Sequence, residues 1–368
     1  MNFAFRTKAN SLAISLCLAC VSSVAVAQEL HIYNWSDYIA EDTISNFQAE
    51  TGIKVSYDVY DSNEVLETKL LAGRSGYDLV FPTARPFAAR HLKASIYTPL
   101  DKTSLPNLAN LDPVILKSLA DLDPNNAHIV PYMWGTTGIG INIKKDKAIL
   151  GAGMPLDSWA LSFDVKIVQQ LSSCGVSLMD DPIEVFTAAR TYLGKDSSDY
   201  SKEAIDAAVA LIQSIRPYIR YFHGSQYITD LANGDTCVAH GYSGDMFQAR
   251  DRATEANNGI KIGYLVPKEG AVVWTDVMAI PSDAKNVREA HQFINYLLKP
   301  EVIAGVTNYV NYANPNLNAT RLVEPDIRND PGIYPSATTI EKLIVLTVPT
   351  TAESRNINRS WTRIKTNQ

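Results

Sequence analysis

The sequence of 368 residues has few cysteines, few histidines and few long apolar runs. Its six histidines are scattered without the spacing of metal ligands, so we expect no metal site. No apolar run beyond the N-terminal segment is long enough to cross a membrane. The sequence also shows no internal repeat and no low-complexity tract. These absences leave a globular protein that is longer than one hydrophobic core usually supports, and we expect two lobes.

The motifs of catalytic and cofactor sites are incomplete. Gly138-Ile139-Gly140 lacks the third glycine and the helix start of a dinucleotide site, so we expect no such cofactor. The segment 241–245 resembles a nucleophile elbow until its last position, where an aspartate replaces the required glycine. A secreted hydrolase that uses Ser243 and His240 remains an alternative, but we predict that the chain is not an enzyme.

The N-terminal segment has the pattern of a secretory signal. Arg6 and Lys8 precede an apolar run at 12–26, and small residues at 25–27 form an Ala-x-Ala cleavage site. The run is shorter than the ~20 residues of a membrane span, and serines interrupt it. We therefore predict a signal peptide at residues 1–27 and a periplasmic mature protein. Lipid anchoring at Cys20 is the alternative, although no aliphatic residue stands three positions before it.

Signal cleavage leaves an acidic protein with two cysteines. Removing residues 1–27 takes two of the 33 basic residues and none of the 39 acidic ones, so the net charge changes from −6 to −8. Such a surface repels nucleic acid and attracts cations. We expect Cys174 and Cys237 to pair in an oxidising compartment, which would stabilise the fold by about 4 kcal/mol on the chain-entropy model.

Strand-like and helix-like segments alternate along the first part of the chain. Strand-like runs at 30–34, 54–60 and 78–81 enclose helix-like runs at 39–50 and 63–72. This βαβαβ order predicts an α/β fold with a parallel sheet and helices on both faces.

Single residues mark where the first two helices end and begin. Gly52 supplies a stop for the first helix, and Asn63 is a credible N-cap for the second.

Four extended segments predict a hinge between two lobes. Segments 129–132 and 136–142 would leave the first lobe, and segments 262–267 and 272–280 would return to it. Helix-like runs for the second lobe lie between these passages, at 182–193, 202–214 and 227–232.

The lobes and the tail follow from this order. We predict that residues 28–136 plus 263–313 form lobe 1 and that residues 137–262 plus 314–368 form lobe 2. In the tail, the arginines at 355, 359 and 363 recur at helical spacing beside Trp361, which we interpret as a solvated helix face.

Four segments carry a specific resemblance to a known family. They are residues 31–39, 58–64, 131–140 and 220–223. On these segments the chain resembles the periplasmic putrescine-binding proteins of ABC transporters, and the likeness extends from about residue 30 to the C terminus. The resemblance implies a two-lobed, type II periplasmic binding protein that closes like a Venus flytrap on a polyamine, putrescine or spermidine. It also implies a partner permease and ATPase, and we expect a monomer.

Binding a flexible diammonium chain requires carboxylates for its ends and aromatic faces for its methylenes. Aromatic and acidic residues do occur together in this sequence, at 35–38, at 242–245 and at 274–276. Residues two apart in a strand point to one face, so we expect Trp274 and Asp276 to face the same cavity.

The resemblance assigns the ligand-binding residues by position. They are Trp35, Ser36, Asp37, Tyr38, Thr83, Asp181, Glu184, Tyr242, Asp245, Trp274, Asp276 and Tyr312. Asp245 and Asp276 match the principal ammonium partners, and the aromatic residues match the walls. For Asp37, direct contact and a structural role in its loop remain equal alternatives.

The residues that would set the preferred polyamine give opposing indications. Trp274 and Asp181 resemble the spermidine-binding branch, whereas Arg85 and Tyr242 stand where the family places other residues. We expect Arg85 either to point out of the cleft or to neutralise Asp181, so that both polyamines bind. A sensor that presents the ligand-bound form to a membrane receptor is the alternative function.

Overall fold

The computed structural model describes Met1 and residues 28–151 and 157–366. The predicted signal peptide, with its cleavage site and Cys20, lies outside the described residues except for Met1. Within the described ranges, no helix combines the length and the apolar character needed to cross a bilayer.

The described strands form a mixed ten-stranded sheet. In chain order they are β1 (Glu29–Trp35), β2 (Lys54–Tyr60), β3 (Leu79–Val80), β4 (Ile129–Asn142), β5 (Val176–Leu178), β6 (Ile219–Phe222), β7 (Val238–Tyr242), β8 (Ile262–Leu265), β9 (Ala271–Ala279) and β10 (Leu343–Val345).

Helices connect these strands and cover the sheet. They are α1 (Thr43–Thr51), α2 (Asn63–Leu71), α3 (Ala89–Lys93), α4 (Pro113–Ser118), α5 (Ile143–Leu150), α6 (Ala160–Phe163), α7 (Val165–Leu171), α8 (Pro182–Tyr192), α9 (Lys202–Ile215), α10 (Gln226–Asn233), α11 (Ser243–Glu255), α12 (Val287–Leu297), α13 (Pro300–Val310), α14 (Pro325–Arg328), α15 (Ala337–Ile340) and α16 (Thr351–Thr366).

Strand β4 joins two halves of the sheet. Its N-terminal part, residues 129–136, pairs antiparallel with β9, and its C-terminal part, residues 137–142, pairs antiparallel with β7 and β8. On one side lie β9, β3, β1 and β2, which we call the first lobe; on the other lie β7, β8, β5 and β6, which we call the second lobe. The first lobe contains the predicted parallel β1–β2 and β1–β3 pairs, whose crossovers are α1 and α2.

Of the two predictions about helix ends, one is confirmed and one is wrong. Helix α1 stops at Gly52, whose φ of 75° allows the left-handed C-cap that the sequence indicated. The predicted N-cap at Asn63 is wrong, because the Ser62 side chain accepts the hydrogen bond from the backbone N–H of Val65. Asn63 instead lies inside the first turn, where its amide bonds to Thr83.

The predicted extended segments form the connections between the lobes. Segments 129–132 and 136–142 are parts of the one strand β4, and 272–280 corresponds to β9. Strand β8 hydrogen-bonds to the end of β4 that also pairs with β7, so it lies in the second lobe as defined here. Residues beyond 313 contact both lobes, since Asn316 bridges Leu111 whereas α16 packs on α9. The limits of the lobes therefore remain a prediction.

A disulfide joins two neighbouring strands of the second lobe. Cys174 precedes β5, Cys237 precedes β7, and the two strands pair in parallel. Their Cα atoms lie 5.6 Å apart, within the range of disulfides, and 63 positions separate the cysteines in the sequence. The bond confirms the predicted pairing and closes a long loop in the unfolded chain.

Replacing both Cys174 and Cys237 with serine should lower the free energy of unfolding by about 4 kcal/mol, because the unfolded chain regains the entropy of the open loop. Denaturant titration of the mature parent and variant measures this difference. The parent, denatured without reductant, should show no reactive thiol in a thiol assay. Two reactive thiols per parent chain would contradict the disulfide.

Candidate ligand-binding site

A pocket of about 420 Å³, a volume that includes its opening to solvent, lies between the two lobes. Aromatic rings, carboxylates and small polar groups line it. These residues are Trp35, Ser36, Tyr38, Tyr60, Asp61, Thr83, Gly224, Ser225, Tyr242, Asp245, Trp274, Asp276 and Tyr312. Nine of the twelve residues that the resemblance assigned therefore meet in one place.

The loop after β1 supplies the first wall. Trp35 ends the strand, and its indole N–H donates to the carbonyl of Phe81 at 2.8 Å. The Trp35 ring lies 4.7 Å from the ring of Tyr60, measured between centroids. Tyr38 is 4% exposed and its ring meets the edge of Tyr312 at 5.2 Å. These contacts fix the rings in place before any ligand enters.

Asp276 lies on β9 at the base of the pocket and is 4% exposed. The Thr83 hydroxyl donates to Asp276 Oδ1 at 2.7 Å, and the Asn63 amide donates to the Thr83 hydroxyl at 2.9 Å. Trp274, two residues before Asp276, lines the same pocket, as the strand alternation indicated. A chain of polar contacts within the first lobe thus orients this carboxylate.

Asp245 lies in the first turn of α11 and is 8% exposed. The hydroxyls of Tyr227 and Tyr312 donate to its two oxygens at 2.5 and 2.6 Å. Gly244 is required beside it, because a Cβ there would lie 2.5 Å from the Tyr312 ring. The two tyrosines hold the second carboxylate in place with neutral donors.

Burial changes the protonation of both carboxyl groups. It raises the pKa of Asp276 to about 7, although the hydroxyls of Thr83 and Tyr38 act against the shift. Burial also raises the pKa of Asp245 to about 6, against the donors Tyr227 and Tyr312. Hydroxyl donors therefore compensate only part of the lost hydration, and a cation between the carboxylates would favour their ionised forms.

Three rings enclose the space beside these carboxyl groups. Trp274 lies 5.4 Å from Tyr242 and 5.3 Å from Tyr312, and both pairs are edge-on. Tyr242 reaches Trp35 of the first lobe at 6.3 Å. Ring faces flanking a pair of carboxylates suit methylenes that end in cationic nitrogens.

Asp37 lies outside the pocket lining. It adopts a left-handed backbone conformation with φ of 54°, and its carboxylate meets the guanidinium of Arg252 at 2.7 Å. Both side chains are about two-fifths exposed, at 41% and 39%. The contact joins the β1 loop to α11 across the cleft, which favours a structural role for Asp37 over direct ligand contact.

Asp181 and Glu184 also lie outside the residues that line the pocket. Asp181 caps α8 by accepting the backbone N–H groups of Ile183 and Glu184, and burial raises its pKa to about 6. Burial and the nearby Asp181 raise the pKa of Glu184 well above its usual range.

Glu64 of α2 joins this group from the first lobe. Burial and the nearby Asp181 raise the pKa of Glu64 as well. Three acids from both lobes therefore gather outside the pocket, and none of them makes an ion pair within the described residues.

Four pocket residues were not assigned from the sequence. Tyr60 ends β2 and Asp61 follows it, whereas Gly224 and Ser225 follow β6. The sequence held a signal for Tyr60 and Asp61, because segment 58–64 carried the family resemblance, and segment 220–223 directly precedes Gly224 and Ser225. Asp61 and Ser225 meet across the cleft, where the Ser225 hydroxyl donates to Asp61 at 3.3 Å. Such a contact between distant segments cannot be read from the sequence.

Ser243 and His240 are not arranged as a nucleophile and its base. The Ser243 hydroxyl accepts a hydrogen bond from the backbone N–H of Thr136 at 3.4 Å. Both ring nitrogens of His240 are buried without a hydrogen-bond partner among the described residues. Burial lowers the pKa of His240 to about 3, so the imidazole is neutral.

Arg85 points away from Asp181. Its guanidinium meets the carboxylate of Asp121 at 2.7 Å and donates to the carbonyl of Ser118 at 3.2 Å. Of the two expected positions, the structure shows the one directed out of the cleft.

The chain matches known proteins over most of its length. The family model of bacterial extracellular solute-binding proteins matches residues 42–335. The chain is 53% identical to the putrescine-binding periplasmic protein PotF of Escherichia coli K12, with 94% of each chain covered. It is 52% identical to the putrescine-binding periplasmic protein SpuD of Pseudomonas aeruginosa UCBPP-PA14, with 95% of each covered.

A solved structure shares the fold. The putative spermidine/putrescine ABC transporter protein from Listeria monocytogenes superposes with a TM-score of 0.83 at 31% identity, covering 93% of this chain and all of that one. The predicted two-lobed, type II fold is confirmed by this likeness. With the family match over residues 42–335 and the identities above, the chain belongs to the bacterial extracellular solute-binding proteins.

Proposed function

We propose that the chain binds a polyamine in the pocket between its lobes and delivers it to an ABC importer. The observation that carries this proposal is the pair of buried carboxyl groups, Asp245 and Asp276, enclosed by aromatic rings. Such a site suits a flexible cation with two separated charges and an apolar chain between them.

Each part of the ligand has a partner. The ammonium groups would form charge-assisted hydrogen bonds with Asp245 and Asp276, each worth roughly 1.5 to 3 kcal/mol. Trp35, Trp274 and Tyr312 would cover the methylenes that leave water. This recognition needs no bond-making chemistry, in agreement with the family of binding proteins.

Closure of the lobes would complete the site. The first lobe holds Asp276 and the second holds Asp245, so a ligand that contacts both stabilises the closed form. The contact of Asp61 with Ser225 and the ion pair of Asp37 with Arg252 lie across the same cleft. We propose the lobe limits 28–136 plus 263–313 and 137–262 plus 314–368, except that residues 263–265 of β8 stay with the second-lobe end of β4, to which they hydrogen-bond. We also propose that the permease recognises the closed form.

The relatives support the wider role. PotF and SpuD are named as putrescine-binding periplasmic proteins, and the Listeria protein as a spermidine/putrescine ABC transporter. We propose export to the periplasm by cleavage after residue 27, action as a monomer, and a permease with its ATPase as partners.

Both putrescine and spermidine are proposed ligands. Asp245 and Asp276 in the pocket satisfy a diamine. Burial and then the charges of Asp181 and Glu184 raise the pKa of the pocket residue Tyr242, so these acids lie close enough to serve a third ammonium. Glu64 lies beside Asp181. Because Arg85 pairs with Asp121, it leaves Asp181 free of that guanidinium.

Asp276→Asn should weaken putrescine binding at least about tenfold, because a neutral amide leaves a desolvated ammonium without its counter-charge. Isothermal titration calorimetry measures the affinity. The control is Asp206→Asn, which neutralises an exposed carboxylate paired with Lys202 and should bind as the parent does. Parent-like affinity in Asp276→Asn would remove Asp276 from the site.

Putrescine affinity should rise by about tenfold or more from pH 5.5 to pH 8. The carboxyl groups of the unliganded site have pKa values of about 7 for Asp276 and about 6 for Asp245, and the diammonium lowers both by favouring the ionised forms. Affinity is therefore full above these values and lost as pH falls through them. Calorimetry across this range should also detect proton release, and Asp276→Asn should flatten the profile. An unchanged affinity across the range would contradict ionic recognition.

Gly224→Ala should weaken binding and reduce the ligand-induced compaction seen by X-ray scattering. A Cβ at this position would lie 2.2 Å from the carbonyl oxygen of Asp61 across the cleft, so the lobes could not approach as closely. Gly305→Ala is the matched control, because a Cβ there meets nothing within 4 Å. Equal compaction in both variants would show that this contact does not limit closure.

A further inference from the structure

The C-terminal helix α16 buries one stripe of its surface against the second lobe. Ile357, Ser360, Trp361 and Ile364 are buried, whereas Arg355, Arg359 and Arg363 lie at other positions of the same helix. The interpretation of Trp361 as part of a solvated face is therefore wrong. Its side chain is only 4% exposed, because it packs against other parts of the second lobe.

Two residues of α16 hold Asp180. The Trp361 indole N–H donates to Asp180 Oδ1 at 2.7 Å. The Lys365 ammonium donates to Oδ1 at 2.9 Å and to Oδ2 at 2.8 Å. Asp180 immediately precedes Asp181, the N-cap of α8, so these three bonds fix the backbone that carries Asp181.

The Trp361 ring supports two segments that reach the cleft. It packs edge-on against Phe186 of α8 at 5.8 Å and against Phe222 of β6 at 4.9 Å. Phe186 follows Glu184 by two positions, and Phe222 precedes the pocket residues Gly224 and Ser225. One aromatic side chain thus packs against both segments without lining the pocket.

We propose that Asp180, Trp361 and Lys365 are positioning residues, which hold Asp181 and Glu184 in the orientation that binds a third ammonium. This rests on the proposed polyamine function. None of the three lines the pocket, so they act through the segment 181–184.

The charges agree with this arrangement. Asp180 is one of the charges that raise the pKa of Asp181, and the Lys365 ammonium lies directly on Asp180. The Lys365 ammonium therefore offsets part of the repulsion between Asp180 and Asp181, and it also holds Asp180 in place.

The test compares spermidine with putrescine by calorimetry on the mature protein. Asp180→Ala should weaken spermidine binding by about tenfold and putrescine binding by less than about threefold, since Asp245 and Asp276 hold the diamine independently. Asp180→Asn should restore most of the loss, because its amide oxygen still accepts the Trp361 bond. If Asp180→Ala does not fold, Lys365→Ala should change the ratio of affinities in the same direction.

Ile357→Ala is the matched control, because it removes a buried side chain of α16 that has no group to hydrogen-bond to Asp180. It should lower the melting temperature without changing the ratio of affinities. An unchanged ratio in Asp180→Ala, or the same change of ratio in Ile357→Ala, would overturn the positioning role. A parent protein that binds neither amine would instead overturn the proposed function, and this inference with it.

Discussion

Two carboxyl groups buried between two lobes impose the main constraint on this structure. Asp245 and Asp276 have hydroxyl donors but no cationic partner within the described residues, and burial raises the pKa of each. Replacing these donors with an arginine would satisfy the carboxylates and occupy the place of a cationic ligand. The neutral donors instead keep the oxygens oriented while leaving charge compensation to the molecule that enters.

The rest of the fold positions these two groups. Strand β4 belongs to both halves of the sheet, so the lobes share a backbone while each holds one carboxylate. The aromatic walls likewise come from both lobes, with Trp35 on one side and Tyr242 on the other. A ligand can therefore satisfy both carboxylates only when the lobes are close together, which links recognition to the shape that a partner would recognise.

Local rules of the sequence predicted much of this arrangement. The strands β1 and β2, the stop at Gly52 and the common face of Trp274 and Asp276 follow from periodicity and backbone preference alone. Local rules failed where a distant residue decides the outcome. Asn63 is a plausible cap by type, yet its amide bonds to Thr83 and Ser62 takes the cap. The family resemblance assigned Asp245 and Asp276 to the site, and both line the pocket. Asp37, assigned in the same way, instead pairs with Arg252, a partner 215 positions away.

Gly244 connects a backbone detail to the size of the pocket. The absence of a side chain lets the Tyr312 ring rest directly on the first turn of α11. Any larger residue would displace the Tyr312 ring, which lines the pocket, so the free space depends on a position that does not itself line it. Substituting Gly244 would therefore favour shorter amines while every charged contact in the pocket keeps its residues.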